Sequence, residues 1–334
     1  MTIAVLPANQ PPERFYRGGA RIDAFRGSPT GPDRRPEDWV GSVTTLAGES
    51  SLGLSPLPDG RLLADAVAAD PIHWLGAEHV EAFGTSTRLL VKLLDAGQRL
   101  PVHAHPSDAF SRDRLHLDSG KAEAWYILEG GEVHLGLTRD VARGELEHLV
   151  HTQQTDALLA LLHVREVQQG DVVYVPPGML HAIGTDVFLL ELQQPADLSI
   201  LLEWSGFELD GAADGHLGVG FDTALDAVLS EQTSLAELAT LIAPAAQGDN
   251  VLPAASHPYF RLDRWVDPAG HEVEPGFAIV VVERGGVHLV PERGDAVHLT
   301  AGSTAVVSHA AGRLRLAGHG VALVCRPPSP GNAP

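Results

Sequence analysis

The 334-residue chain contains a single cysteine, Cys325, so it can form neither an intramolecular disulfide nor a thiolate metal cluster, and a reducing compartment is expected. Basic residues are scarce. Lys plus Arg number 23 against 43 Asp plus Glu, a formal net charge of −20, which disfavours a nucleic-acid backbone or an anionic membrane surface as partner. No apolar run is long enough to span a bilayer, and Met1 to Gln10 lack the basic and apolar stretches of a signal peptide, so a cytoplasmic location is expected. Low-complexity segments, coiled-coil heptads and short-period repeats are also missing, which excludes solenoid architectures.

Against these absences stand 35 glycines and 24 prolines in a chain that is 44% hydrophobic, a composition of many turns between short strands. Residues 87–103, 124–137, 171–176 and 187–192 read as short strands of a β-barrel or sandwich. Three- and four-residue apolar spacing predicts helices within 62–83, despite Pro71, and within 140–163 and 223–242. Strand-like runs return after residue 251. The expected division is a larger β unit over 1–215 with helical insertions near 60–83 and 140–163, a helical connector over 216–250, a smaller C-terminal β unit over 251–326, and a tail over 327–334.

Two segments carry the chemistry. In Gly97-Gln-Arg-Leu-Pro-Val-His103-Ala-His105 the histidines stand at i and i+2, which on a strand share one face about 6.6 Å apart along the chain. In Gly170-Asp-Val-Val-Tyr-Val-Pro176-Pro-Gly178-Met-Leu-His181 a Pro-x-Gly turn delivers a histidine. Glu123, followed by Gly130, supplies a carboxylate after an insertion covering Ser107 to Ala122. The segments resemble the two sequence motifs of the cupin superfamily, G-x5-H-x-H and G-x5-P-x-G-x2-H. Three imidazoles and one carboxylate, His103, His105, Glu123 and His181, suit one borderline divalent ion such as Zn2+, with Fe2+ or Mn2+ as alternatives. One histidine among the 17 in the chain would be no signal; three at prescribed spacings are. His134, His148, His163, His288, His298 and His309 lack such partners and read as structural or exposed. The C-terminal stretch Gly302 to His309 has neither a Pro-x-Gly turn nor an H-x-H pair, so that unit is expected to hold no metal.

Further residues narrow the family. Glu37-Asp-Trp39-Val-Gly-Ser42, Leu89-Leu-Val-Lys92-Leu-Leu-Asp95, Gly120-Lys121-Ala-Glu123-Ala-Trp125-Tyr126, Val175-Pro-Pro-Gly-Met-Leu-His-Ala-Ile-Gly184 and Glu191-Leu-Gln-Gln194 resemble class I mannose-6-phosphate isomerases over roughly residues 15–205. The resemblance implies a mainly β, double-stranded β-helix (jelly-roll) cupin fold with a few peripheral helices and a second cupin-like β domain. It implies metal-dependent aldose–ketose isomerisation through a cis-enediol. It places the metal on His103, His105, Glu123 and His181, and active-site roles on Lys92, Lys121 and Glu191, with Glu191 or a lysine of lowered pKa as general base. Two positions depart from the family. His103 stands where glutamine is usual, and Leu201 where an active-site arginine is expected, so any phosphate would need a cation from Arg17, Arg21, Arg112 or Arg114. Trp39 and Trp125 fit a sugar pocket or the core equally. The expected ligand is a small sugar or sugar phosphate, bound by a monomer or homodimer. An isomerase or epimerase of a related or unphosphorylated sugar, an iron-dependent cupin dioxygenase and a non-catalytic sugar-binding cupin are the competing readings.

Overall fold

The computed structural model describes residues 1–332. Its strands, in chain order, are β1 (Ile3–Leu6), β2 (Glu37–Val40), β3 (Leu90–Asp95), β4 (His103–Ala104), β5 (Glu123–Glu129), β6 (Gly131–Leu137), β7 (Leu162–Val167), β8 (Asp171–Val175), β9 (His181–Ile183), β10 (Phe188–Gln193), β11 (Ile200–Leu201), β12 (Ile242–Pro244), β13 (Arg261–Val266), β14 (Ala269–Val273), β15 (Ala278–Pro291), β16 (Val297–Thr300), β17 (Thr304–Val307) and β18 (Leu314–Arg326). They form three antiparallel sheets. A six-stranded sheet ordered β12-β8-β5-β10-β3-β2 and a five-stranded sheet ordered β11-β4-β9-β6-β7 make up the first unit. The third sheet runs β1-β17-β15-β18-β13, with β14 on β18 and β16 on β15. The molecule is mainly β, with the jelly-roll arrangement that the strand pattern predicts.

The six-stranded sheet is buried on both faces, which is why β3 and β10 read as near-continuous apolar runs with single charged interruptions. Alternation along the strands sorts the residues. Trp39, Lys92, Glu191 and Trp125 are direct cross-strand partners on β2, β3, β10 and β5, and therefore lie in one row on one face. On the opposite face Val91 and Leu93 share a core with Ile279, Val281, Leu323 and Cys325 of the third sheet. Tyr126, next to Trp125, donates to Glu283 at 2.7 Å and accepts from Arg264 at 3.0 Å across that junction. One sheet thus faces inward to a polar interior and outward to the C-terminal unit.

The helices sit outside the barrel. The expected pair over 62–83 is three short helices, Leu63–Ala69, Pro71–Leu75 and Ala77–Phe83. Pro71 does not interrupt a helix but begins one, with Asp70 capping the His73 amide at 3.1 Å, a position where a missing N–H costs nothing. The 140–163 segment forms Arg143–His151 and Thr155–Ala160, but Leu162 and His163 already belong to β7. These helices cover the outer face of the five-stranded sheet through Leu146, Leu149, Val150 and Leu158. Among the described residues no helix is long and apolar enough to cross a membrane.

The N-terminal strand was expected with the first unit, yet β1 pairs with β17 of the third sheet, Ile3 opposite Val307. Sequence patterning carries no information about a partner 300 residues away. Arg26 fixes the same junction. Its guanidinium donates to Leu6 O, Gly302 O and Thr304 Oγ1 and lies 3.2 Å from the fully buried carboxylate of Asp38. In the expected tail, Pro327 and Pro328 are buried, while residues 333–334 lie outside the described residues.

Removing one partner of a buried ion pair strands the other charge. Arg26→Ala is therefore expected to lower the unfolding free energy by about 3–5 kcal/mol in urea denaturation. A loss under about 1 kcal/mol would show that Asp38 needs no cation.

Candidate metal centre

The turn before β9 sets the first imidazole. Pro177 and Gly178 occupy its central positions, Met179 N–H closes it onto Pro176 O at 3.1 Å, and Gly178 has φ +85°. A Cβ there would also meet Ala227 O at 2.7 Å, so glycine is required twice over. The chain then enters β9, where His181 stands directly opposite His103 of β4. His105 follows on the same face, and the three ring centroids lie 4.0 to 4.9 Å apart.

Each ring is oriented by a carbonyl that accepts from Nδ1: Pro101 O for His103 at 2.8 Å, Leu198 O for His105 at 2.7 Å and Met179 O for His181 at 2.8 Å. With Nδ1 carrying the proton, each Nε2 presents a lone pair to the interior. Burial, then the neighbouring His181 and His105, pushes His103 well below the ordinary imidazole range. Burial, then the charge of Lys121, pushes His105 down to about 3. Both shifts favour the neutral imidazole, the form that can bind a metal ion.

Glu123 completes the cluster from the opposite sheet. Its Oε2 lies 2.9 Å from His105 Nε2 and its Oε1 3.2 Å from His181 Nε2. Such approaches set acceptor against acceptor. His181 Nε2 and Glu123 Oε2 are both buried without a hydrogen-bond partner among the described residues. The Lys121 ammonium meets part of this set, at 3.2 Å from Glu123 Oε2, but His181 Nε2 stays unpartnered, and the three imidazole donors, all within 4.8 Å of one another, could hold a metal ion. The insertion before Glu123 is pinned rather than loose. Gln194 accepts from Ala122 N–H at 2.9 Å and donates to Asp108 at 2.8 Å, and Asp108 also accepts from Gly120 N–H.

The structure brings Lys92, Lys121 and Glu191 to this cluster. Lys92 Nζ is 3.5 Å from both Glu37 and Glu191, and Lys121 Nζ is 3.2 Å from Glu123, 3.1 Å from His105 Nε2 and 3.9 Å from Glu191. Burial works against the Lys92 ammonium, but Glu37 and Glu191 outweigh it and raise its pKa. Without a cation at the histidines, these carboxylates hold Lys92 as an ammonium. Burial, together with the charge of Glu123, pushes Glu191 well above the ordinary carboxylate range against the pull of both lysines. A cation at the histidines would relieve that pressure.

The two tryptophans neither line a sugar pocket nor merely fill the core. Trp39 Nε1 donates to Glu37 at 2.7 Å and Trp125 Nε1 to Glu123 at 3.1 Å, the same E-x-W geometry on two strands, while Lys92 Nζ sits 4.7 Å above the Trp39 ring. Both indoles are fully buried.

Leu201 does line the cavity, alongside His103, Lys92, Lys121, Glu191, Ser199 and Asp197. None of the four arginines proposed from sequence joins it. Arg21 is held by Asp95, Glu129 and Asp186, Arg17 faces Asp33 at the surface, and Arg112 and Arg114 are exposed on the turn Ser111–Leu115. The cavity's arginine is Arg14, 3.3 Å from Glu37 and 3.8 Å from Asp197. Tyr16 donates to the same Glu37 at 2.6 Å. No spacing rule singles out Arg14 or Tyr16; only the return of the N-terminal segment over the barrel mouth does. The open volume is about 50 Å³, space for one or two waters or the reacting end of a small ligand.

No protein-family model matches the chain. The mannose-6-phosphate isomerase of Streptococcus mutans is 30% identical over 204 residues, 58% of this chain and 61% of that protein. ManA of Bacillus subtilis, also a mannose-6-phosphate isomerase, is 36% identical over 117 residues, 34% of this chain and 36% of its own. The matched stretch thus spans about three fifths of the first relative and about a third of the second. Among solved structures, mannose 6-phosphate isomerase from Bacillus subtilis superposes with TM-score 0.71 at 20% identity, over 98% of this chain and 100% of that one. A point mutant of phosphomannose isomerase from Salmonella typhimurium gives 0.74 at 14%, over 98% and 100%. The chain shares their fold from end to end.

Two measurements check this centre. Elemental analysis should find one divalent ion per chain, reduced at least about 10-fold by His103→Ala or His181→Ala; equal content in the variants removes the assignment. The second concerns Glu37. Burial alone would raise its carboxyl, but Arg14, Lys92 and the bonds from Tyr16 and Trp39 hold it well below its usual value of 4.5. A depressed folded-state pKa contributes stability above the unfolded value and loses it as pH falls. Glu37→Gln should therefore cost about 3–5 kcal/mol at pH 7 in urea denaturation. The gap to the native chain should narrow as pH drops below 4.5; a pH-independent gap would refute it.

Proposed function

We propose that the chain is a metal-dependent aldose–ketose isomerase interconverting mannose 6-phosphate and fructose 6-phosphate, the activity printed in its relatives' names. The observation that carries this reading is the placement of Glu191 between Lys92 and Lys121 beside three converging imidazoles. His103, His105, His181 and Glu123 are the proposed ligands, and zinc is the ion we favour, with Fe2+ or Mn2+ able to use the same donors. Bound there, the ion would supply Lewis acidity for the sugar's carbonyl and hydroxyl oxygens.

The protein's own groups account for the proton movements. Glu191 as carboxylate takes the proton from C2 of the aldose and returns it to C1, leaving the cis-enediol between the two steps. The Lys92 ammonium, locked by Glu37 on its far side, stabilises negative charge developing on the sugar oxygens. Lys121 is placed to pass the hydroxyl proton from O2 to O1. An oxygenase needs neither lysine, which favours the isomerase over a cupin dioxygenase sharing the same ligand set. We further propose the division into a metal-binding unit over 1–215, a connector over 216–250 and a metal-free unit over 251–326, and a cytoplasmic setting. To the C-terminal unit must be added β1, by its pairing with β17, and to the metal-binding unit β12, by its pairing with β8.

The metal-loaded chain should interconvert mannose 6-phosphate and fructose 6-phosphate, and Glu191→Gln should lower kcat by about 10²–10⁴-fold with little change in KM and in metal content. Inactivity of the native chain on every aldose–ketose pair would overturn the proposal; activity confined to free mannose would replace the phosphorylated substrate by the unphosphorylated one.

A further inference from the structure

Away from the metal centre, a cavity of about 530 Å³ opens where the helices Pro71–Leu75 and Ala77–Phe83 meet the third sheet. Arg261 and Arg326 line it. They are direct partners on β13 and β18, so two guanidinium groups project from one face of adjacent antiparallel strands, an arrangement that repels. Native sheets place like charges opposite each other at a cost, and burial raises that cost because water no longer screens the pair.

Little in the chain compensates these charges. Arg326 is only 7% exposed. One terminal nitrogen donates to Glu274 O at 3.0 Å, the other stands 3.8 Å from Asp263, and its Nε has no hydrogen-bond partner among the described residues. Arg261 donates through Nε to Pro327 O at 3.0 Å and meets no carboxylate within ion-pairing distance among the described residues. The Glu274 carboxylate at the rim is largely exposed and turned towards Arg313. Burial and then the charge of Arg326 pull Arg261 down to about 10, against the weaker opposing pull of Asp263 and Asp249. The imidazoles of His79 and His309 line the same cavity; the N–H of His79 is taken by Ser86 O at 2.7 Å, which leaves His309 as the further ring donor.

We propose that this cavity is a second ligand site, in which Arg261 and Arg326 bind a phosphoryl oxyanion, free or carried on a small metabolite. Paired guanidinium forks suit tetrahedral oxyanions, because each offers parallel N–H donors to two oxygens. The bound anion satisfies Arg326 Nε and removes the repulsion between the two strands. None of the residues that line it belongs to the metal cavity, so occupancy is independent of turnover.

Calorimetric titration of the full-length, metal-loaded chain with inorganic phosphate, and separately with glycerol 3-phosphate, at constant ionic strength tests this. Glycerol 3-phosphate has no carbonyl to isomerise. The native chain should bind at least one of them at or below about 10 mM, and Arg261→Gln should weaken that binding about 10-fold or more with kcat for the sugar unchanged. Arg326→Gln should do the same. If its greater burial prevents folding, the more exposed Arg261→Gln decides alone. Tighter binding of glycerol 3-phosphate identifies a carried phosphoryl group, and tighter inorganic phosphate a free one. Equal affinity in the native chain and Arg261→Gln, or no binding by the native chain, overturns the proposal.

Discussion

The first unit is organised around charges that have been taken out of water and must neutralise one another. From the barrel mouth inward the order is Arg14, Glu37, Lys92, Glu191, Lys121 and Glu123, alternating in sign, with contacts of 3.2 to 3.9 Å between successive members. A lone carboxylate or ammonium at any of these places would cost several kcal/mol. In sequence they are scattered over more than 170 residues; only the strand register makes them neighbours. Because side chains alternate along a strand, slipping β3 or β10 by one residue would turn Lys92 or Glu191 into the apolar core shared with the third sheet. The charges therefore specify the register as firmly as the hydrophobic residues beside them.

Much of the centre could be read from the sequence because its histidines lie close together or directly after a turn. His103 and His105 share a strand face, and Pro176-Pro-Gly178 fixes the entry of His181 by local geometry alone. Lys92 and Glu191 were legible as charges inside apolar runs, where only a buried partner makes sense. What could not be read was anything decided by distant chain segments. Arg14 reaches Glu37 across 23 residues, Tyr16 does so across 21, and neither position has a pattern of its own. The same limit explains the grouping of residues 3–6 with the first unit, and the mistaken search for the cavity's arginine among residues 17, 21, 112 and 114. The tryptophans illustrate a subtler loss. An E-x-W spacing places indole and carboxylate on one face, but that the indole N–H orients the carboxylate emerges only from the distances.

The C-terminal unit supports the centre from behind. Its core residues meet the back of the six-stranded sheet, and Arg26 links helix Ala20–Arg26, β1, β2 and β17 through one guanidinium. The row Trp39, Lys92, Glu191 and Trp125 thus stands on a sheet that cannot flex outward without opening an apolar interface. Rigid backing of this kind is what the proposed role of Glu191 needs, because a carboxylate that moves protons must stay within a fraction of an ångström of its partners.

The scarcity of lysine sharpens the meaning of the two that are present. Of the 23 basic residues only Lys92 and Lys121 are lysines, and both are buried beside the imidazoles, while arginine serves the ion pairs Arg21–Asp95, Arg26–Asp38 and Arg99–Glu203 elsewhere. A chain with so strong a preference for arginine has a chemical reason to depart from it twice in one cavity. Guanidinium is planar, bulky and effectively never deprotonated, so it can hold a charge but cannot hand over a proton. An ammonium is compact enough to fit between Glu37 and Glu191 above the face of Trp39, and unlike guanidinium it can give up a proton and take it back. Lysine at these two positions and nowhere else in the chain is what the proposed isomerisation needs, a cavity that moves protons as well as neutralising charge.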